Sequence, residues 1–513
     1  MSPGLKQLER RQIIIALTGQ YGSGVTSVAE IIINQLKDFV RINPVLIKIS
    51  GIFKRMNMSD ELDKRNPLAI KAGQQSIGDK LRKMNLNAIG LFVLNEIYDK
   101  RKEIFRATSG FPQSSTDVCT DIYIVDSVKN PNDVNVLREI YGENFYLVSV
   151  IAPEDLRFSR LKTKNIKISE VELRKIDQID YGEGNEWGQN VRTSIEQSDY
   201  FINNSVDGTN KLKEKVVRML QVLFLDPYVG PTKEEYAMMI AWISSLRSMC
   251  LSRQVGASIM DGQGKIIGTG YNDPPMYGGG VYDSTLPDNS CCYNWSDGVC
   301  LNSKLKNEII RNIELLERDQ FIGDDESHNP SQNEDILNLL EFSRSVHAEM
   351  NAIMNLARSN EKIDENSKIF VTTFPCHHCA RHIVCAGIRT VYFIEAYPKS
   401  RVNQLHHDSI NDCSHHLKSQ KKVNFVFYEG VAPSKYAQCF QMIGDRKKIP
   451  KEDRLFMSLI SKLGYGIVIG EKYDIVIEEK GEKNEQIWDD KETFYINKEE
   501  NKQILNLFPK QRD

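Results

Sequence analysis

The sequence predicts two successive α/β units, and three observations carry this. A β-rich apolar run, Ile13 to Leu17, meets a glycine turn and then an apolar-periodic helix in "RQIIIALTGQYGSGVTSVAEIIINQL". Strand-like and helical stretches then alternate, which calls for a parallel sheet covered on both faces. Beyond residue 231 a second set of strands and helices carries most of the cysteine and histidine. Only Cys119 of the 10 cysteines precedes residue 250, and all 9 histidines lie at or beyond His328. In a cytosolic chain such clustering favours metal binding over disulfides.

The first unit continues with the strands "NPVLIKIS", "DIYIVDSV" and "NFYLVSVIA", with helical stretches such as "VLREIYG" and "PEDLRFSRLKTKN" between or after them. A boundary falls at "LDPYVGPTKEEY", residues 225–232. The second unit opens with a helix, "KEEYAMMIAWISSLRSMCLSR", followed by strands "VGASIMD" and "GKIIGTGYN" joined by the turn "GQG". Residues 273–333 read as a long irregular stretch with Gly, Pro, Asp, Asn and three cysteines. Then come the helix beginning near "SVHAEMNAIMNLA", the strand "KIFVTT", the helix "CHHCARHIVCAGI" and the strand "TVYFIEA". The expected domains are 10–226, 231–445 and an extension, 446–513, with one hairpin-like stretch and no motif.

Composition narrows the classes. A hydrophobic content of 41% is enough for ordinary cores, and a net charge of −3 gives no overall bias towards nucleic acid. No apolar run reaches the ~18 residues a membrane span needs. The start, "MSPGLKQLERRQ", has no apolar signal-peptide core. A cytoplasmic protein is expected.

The strongest chemical signal is "SVHAEMNAI" with "TTFPCHHCARHI". His-x-Glu with Pro-Cys-x-x-Cys is the signature of zinc nucleobase deaminases. His347, Cys376 and Cys379 offer one imidazole and two thiolates, three ligands that leave a fourth zinc position for water. Cys376 and Cys379 fall at the start of a helix, on one face, where the dipole favours thiolates. Glu349, two residues from His347, suits a proton carrier that does not bind the metal. A closed, purely structural zinc site would need a fourth ligand, from His377, His378 or elsewhere.

With those motifs in view, residues 231–445 resemble a deoxycytidylate deaminase domain of the cytidine-deaminase-like, three-layer kind. "SSLRSMCLSRQVGASI" resembles that family's Arg-Ser-x-Cys-x-x-Arg-x-Val-Gly-Ala segment, and "GTGYNDPP" its Gly-Tyr-Asn-Gly-x-Pro loop, with Asp273 in place of the usual glycine. The resemblance implies hydrolytic deamination at C4 of cytosine, with Glu349 moving the protons. It also implies a substrate site that includes Asn272, Arg253, Tyr397 and Lys399. Lys399 and Arg401 are cations where substrate phosphates would sit; solvated surface is the alternative for both. The long insert between Asn272 and His347 resembles deoxycytidylate deaminases with a second, structural zinc. Cys250, Cys291, Cys292, Cys300 and His328 are the candidates for it, the alternative being a loop that simply contains reduced thiols. "LHHDSINDCSHH", residues 405–416, reads as a polar loop at the rim.

"GQYGSGVTS", residues 19–27, resembles a phosphate-binding loop without its lysine. Gly19 and Gly24 are correctly spaced and Thr26 is in place, but position 25 is Val. The backbone of Gly19, Gly22, Ser23, Gly24, Val25, Thr26 and Ser27 can still cradle phosphate at a helix N-terminus, and Thr26 can reach Mg²⁺. "YIVDSVKNPNDVNVLR" resembles the Asp-Gly-x-Arg strand and loop of small-molecule kinases, with Ser127 and Lys129 at the variable positions. "QSDYFINN" resembles the stretch that ends such domains, and "DLRFSRL" offers Arg157 and Arg160 as lid arginines. The first unit is therefore expected to be a P-loop NTPase-like, nucleotide-kinase-like parallel-sheet domain. It is read as a nucleotide-binding regulatory domain with poor phosphoryl transfer. An active deoxynucleotide kinase, using Lys48, Lys54 or Lys129 for the missing charge, is the alternative.

The layout, with "YPKSRVNQLHHDSI", resembles the bacterial anti-phage dCTP/dCMP deaminases, which deplete cytosine deoxynucleotides during infection. That resemblance implies a homo-oligomer and control by a small regulatory RNA at the locus. Housekeeping dCMP deamination, deamination on nucleic acid and a scaffold with a vestigial zinc site are the competing readings. Neutral charge counts against deamination on nucleic acid, and intact His347, Glu349, Cys376 and Cys379 against the scaffold.

Overall fold

The computed structural model describes residues 10–442, apart from 38, 40–41, 56–66, 109–118, 164–168, 183–185, 206–207, 284, 286–289, 296–297, 321–335, 338, 398, 414–418 and 420. His328, residues 414–416 of the 405–416 cluster and the extension at 446–513 lie outside the described residues. The chain divides into two units, Pro231–Tyr428 and the residues on either side of it.

The first unit holds β1 (Arg10–Thr18), β2 (Ile42–Lys48), β3 (Cys119–Asp126), β4 (Phe145–Ile151) and β5 (Tyr200–Asn203), parallel and ordered β5-β4-β1-β3-β2. The near-continuous apolar run in β1 follows from burial on both faces. Ile13, Ile15 and Leu17 pack on one side with Val28 and Ile32 of the helix Val25–Leu36 and with Val216 and Leu220 of the helix Thr209–Leu223. Ile14 and Ala16 pack on the other with Phe92 and Leu137. Each such fully buried Ile, Leu, Val or Phe side chain contributes about 1.5–3 kcal/mol. β2 and β4 lie on opposite sides of β1, so the strand order reverses there. Ligands in open α/β sheets bind beyond the carboxyl ends of the strands at such a reversal. The glycine turn after β1 and the Asp126–Asn130 turn after β3 open at that place.

The second unit holds β6 (Gly256–Met260), β7 (Ile266–Tyr271), β8 (Lys368–Thr373), β9 (Thr390–Glu395), β10 (Ile410–Asn411) and β11 (Val423–Phe427), ordered β10-β11-β9-β8-β6-β7. β6 pairs antiparallel with β7 and β8; β8, β9, β11 and β10 are parallel. Two glycines show why helices cover both faces. A Cβ on Gly256 would lie 1.9 Å from Ala241 O, on the helix Lys233–Ser245. A Cβ on Gly270 would lie 2.3 Å from Ala348 O, at the start of the helix Ala348–Ala357. Gly270 pairs with Ala257, the neighbour of Gly256, and successive residues of a strand face opposite ways. The two helices therefore press on opposite faces, giving the three layers expected.

Three sequence expectations are corrected. The second unit ends at Tyr428 rather than 445, because β12 (Gly430–Val431) pairs with β5 and Ala432 N–H donates to Asp199 O at 2.9 Å. The opening helix stops at Ser245 instead of running to Arg253. Ser248 Oγ donates to Asn272 O at 2.6 Å and Met249 N–H to Asp273 Oδ2 at 2.9 Å, contacts that pull the chain out of helix. The insert also contains a 20-residue helix, Leu301–Gln320, where an irregular stretch was read. Among the described residues no helix is long and apolar enough to cross a membrane.

Candidate active site

Two helix starts converge on one point. His347 is the N-cap of the helix Ala348–Ala357, and Cys376 is the N-cap of the helix His377–Cys385, with Cys379 in its first turn. His347 Nδ1 lies 3.3 Å from Cys376 Sγ and 3.4 Å from Cys379 Sγ. Tetrahedral zinc, with Zn–S about 2.3 Å and Zn–N about 2.0–2.1 Å, sets its nitrogen and sulfur ligands about 3.6 Å apart. The three atoms thus match a zinc site within a few tenths of an ångström, and the soft donor set suits that metal. Cys376 Sγ also accepts from Cys379 N–H at 3.5 Å. The Cys379 thiol and the His347 ring hold the Cys376 sulfur well below the usual thiol range.

Glu349 sits in the first turn of the His347 helix, 3% exposed, beside the trio and outside the group whose atoms could hold an ion together. Burial pushes its carboxyl up to about 7, the Cys376 sulfur adds to this, and His347 opposes it. A dication on the trio acts in the opposite direction. His347, Glu349 and Cys376 line a 290 Å³ cavity together with Arg253, Asn272, Lys306, Arg344, Tyr397 and Lys399. Burial pushes the Tyr397 hydroxyl up to about 12, so it stays a neutral donor.

Residues 231–395 match the family described as "Cytidine and deoxycytidylate deaminase zinc-binding region". The chain is 33% identical over 174 residues to the deoxycytidylate deaminase of Enterobacteria phage T4, which takes in 33% of this chain and 81% of that one. The chain belongs to the deoxycytidylate deaminase family. Among solved structures, the dCMP deaminase of cyanophage S-TIM5 in complex with dCMP and dUMP covers 39% of this chain and all of its own, at 23% identity and a TM-score of 0.23. Shikimate kinase from Acinetobacter baumannii covers 42% of this chain and 94% of its own, at 14% identity and a TM-score of 0.23.

In the deaminase unit, all four residues expected at the substrate line the cavity: Asn272, Arg253, Tyr397 and Lys399. The Asn272 amide ties the preceding loop, Oδ1 accepting from Val255 N–H at 2.7 Å and Nδ2 donating to Arg253 O at 2.8 Å. One amide hydrogen is left for a ligand. Arg401 is exposed and outside the cavity lining, and His406 Nε2 rests 3.1 Å from His377 O.

Sequence reasoning missed Lys306 and Arg344. Lys306 is 3% exposed, and its ammonium and that of Lys399 both donate to Leu337 O at 3.0 Å. Arg344 stacks 4.6 Å from the Trp295 ring and donates to Ser290 O at 2.6 Å. A signal for Lys306 existed. It shares a stripe with Asn302, Ile309, Ile310 and Ile313 on the helix Leu301–Gln320, a lysine among positions that face inward.

The second zinc expected with the insert finds no ligand trio among the described residues, and its candidate His328 lies outside them. Cys250, Cys292 and Cys300 line the same cavity and Cys291 is buried. Among the described residues, however, only His347/Cys376/Cys379 and Glu341/His377/His378 bring three ligand atoms within 4.8 Å of one another. No three of Cys250, Cys291, Cys292 and Cys300 do so.

In the first unit, the 19–27 loop borders a 530 Å³ cavity. Gly22 (φ 83°) and Gly24 (φ 100°) adopt the left-handed conformation that bends the loop. The first intrahelical bond is Val28 N–H to Gly24 O at 3.0 Å, so the N–H groups of Val25, Thr26 and Ser27 are free of helical partners. Val25 is 7% exposed and packed in the apolar core, which explains its apolar character. Thr26 Oγ1 donates to Asp126 Oδ2 at 2.9 Å. Ser127 takes φ 75°, a backbone that glycine accommodates more readily, and its hydroxyl donates to Asp126 at 2.8 Å. Of the three lysines that the alternative kinase reading offers for the missing charge, Lys129 lines the cavity and Lys48 and Lys54 do not. Arg160 lines it too. Arg157 is corrected to a structural residue, 3% exposed, with its guanidinium on Asp177 and Nε donating to Ala152 O at 3.1 Å.

Proposed function

We propose that the chain converts a deoxycytidine nucleotide, dCMP, dCTP or both, into the deoxyuridine nucleotide and ammonia. The observation that carries this is the buried Glu349 carboxyl beside the His347/Cys376/Cys379 trio, on a cavity lined with four cations. His347, Cys376 and Cys379 would hold zinc, which supplies an activated water near neutral pH. Glu349 takes the proton from that water and passes it to N3 of the cytosine. It then carries a proton to the departing amine as the C4–N bond breaks and C4–O replaces it. Asn272 orients the sugar, and Tyr397 stands as a neutral hydroxyl over the trio.

The cavity lining has Arg253, Lys306, Arg344 and Lys399 with Glu349 and the Cys376 sulfur, and Arg253 pairs with Glu395 at 3.2 Å. Two ammonium groups on one carbonyl are poorly compensated in a partly buried site, and a phosphate completes them. This supports a phosphorylated substrate over a free nucleoside. Lys306→Met and Lys399→Met test it. A charge-assisted hydrogen bond is worth about 1.5–3 kcal/mol, so each change should raise the KM for dCMP roughly 10- to 150-fold, with kcat within a few-fold. Equal losses on dCMP and deoxycytidine would contradict the assignment.

The first unit, in this reading, binds a regulatory nucleotide on the 19–27 loop. The combination of such a unit with a deaminase supports a role in draining dC nucleotides during phage infection.

A further inference from the structure

The helix Pro67–Met84 presents a polar stripe, Lys71, Gln75, Gly78 and Arg82, at the i, i+4, i+7, i+11 spacing of one helix face. Lys71, Gly78 and Arg82 line the cavity beside the glycine loop, as does Lys129 from the turn after β3. Both lysines rest on one carboxylate. Lys71 Nζ is 3.7 Å from Asp180 Oδ1, and Lys129 Nζ contacts Asp180 Oδ2. The three side chains are 13%, 8% and 0% exposed. Gln75 Nε2 and Tyr21 N–H also donate to Asp180, at 2.8 and 3.0 Å, so that carboxylate joins the lysines to the loop itself.

The charges do not balance. Among the described residues lining the cavity, Lys71, Arg82, Lys129 and Arg160 are cations and Asp126 is the anion. Behind the wall, Asp180 compensates one lysine and Asp133 compensates Arg82, at 2.7 Å. Two buried ammonium groups thus share one carboxylate. Burial, and then the like charge of Lys129, pull the Lys71 ammonium down to about 7. Arg82, 4% exposed, is also incomplete: its Nε and Nη1 are buried without a hydrogen-bond partner. Unmet buried donors cost about 1–3 kcal/mol each, more when charged. An anionic ligand removes both deficits.

We propose that Lys71 and Lys129, with Arg82 behind them, grip the phosphates of a nucleoside polyphosphate seated on the 19–27 loop, replacing the charge that Val25 cannot supply. This rests on the reading of the first unit as a nucleotide-binding domain and adds the residues that make it one. The loop's free N–H groups and glycine bends take one side of the polyphosphate, and the two ammonium groups take the other. The excess lysine has a consequence for testing. Removing either lysine leaves Asp180 one cation, so neither single change strands a buried carboxylate.

The test is titration calorimetry on the full-length protein with ATP, dTTP and inorganic tripolyphosphate. Lys71→Met, Lys129→Met and Ser27→Asp are compared with wild type. Ser27 is exposed at the helix start, where an aspartate suits the helix dipole yet repels phosphate. Wild type should bind a nucleotide and tripolyphosphate, and Ser27→Asp should abolish both. Each lysine change should weaken both by about tenfold or more, with Tm unchanged or raised. If Ser27→Asp loses binding while both lysine variants bind like wild type, the lysine assignment is overturned and the nucleotide reading stands. A lowered Tm with unchanged affinity marks the lysines as structural and also overturns it. If wild type binds none of the three probes, both readings fall.

Discussion

Glu349→Ala should remove deamination and leave the metal content of the protein at the wild-type level. The carboxyl is buried beside the ligand trio but is not part of it. Its loss therefore takes away the proton carrier and spares the metal. General acid–base catalysis contributes about 10²–10⁴-fold, and a fall of at least that size is expected in kcat. Glu349→Gln, which keeps the side-chain volume, should fall equally, which separates lost chemistry from a cavity left in the core. In phage-infected bacteria the wild-type chain should lower dCTP, and neither variant should. Activity within a few-fold of wild type in purified Glu349→Gln would contradict the role given to this residue.

Cys376→Ala and Cys379→Ala should each lose activity together with one equivalent of zinc per chain. Three ligands leave no redundancy, and Cys379 is fully buried, so water does not replace its sulfur readily. Wild type should carry one equivalent. This follows because, among the described residues, no three of Cys250, Cys291, Cys292 and Cys300 gather as a ligand set. Two equivalents in wild type would restore a structural site, with His328 as its missing member. Full zinc occupancy in Cys379→Ala would remove the trio from the metal altogether.

The sequence made the catalytic centre legible because that chemistry is local. A metal needs two thiolates one helical turn apart and an imidazole beside its proton carrier, and Cys376, Cys379, His347 and Glu349 show this spacing with no knowledge of the fold. The glycine loop was legible for the same reason, since Gly22 and Gly24 are required by the backbone itself. Charge brought together across elements was not legible. Lys71 and Lys129 are 58 positions apart by number, and only the packing of the helix Pro67–Met84 against the turn after β3 sets them on one carboxylate. Lys306 and Lys399 meet on Leu337 O in the same way. A lysine in solvent and a lysine in a cavity read alike in sequence, unless the lysine falls on an inward helical stripe, as both Lys71 and Lys306 do. Tertiary hydrogen bonds likewise decided where helices stopped. Nothing in "SSLRSMCLSR" announced that Ser248 and Met249 would be drawn to Asn272 and Asp273.

The central claim is that the chain deaminates deoxycytidine nucleotides. It is tested most directly by incubating the purified full-length protein separately with deoxycytidine, dCMP, dCDP, dCTP, CTP and a cytosine-containing oligonucleotide, and following ammonia. Release from dCMP or dCTP, with little from deoxycytidine, CTP or the oligonucleotide, is the predicted result. Comparable release from deoxycytidine or the oligonucleotide, or none from any deoxynucleotide, would contradict it.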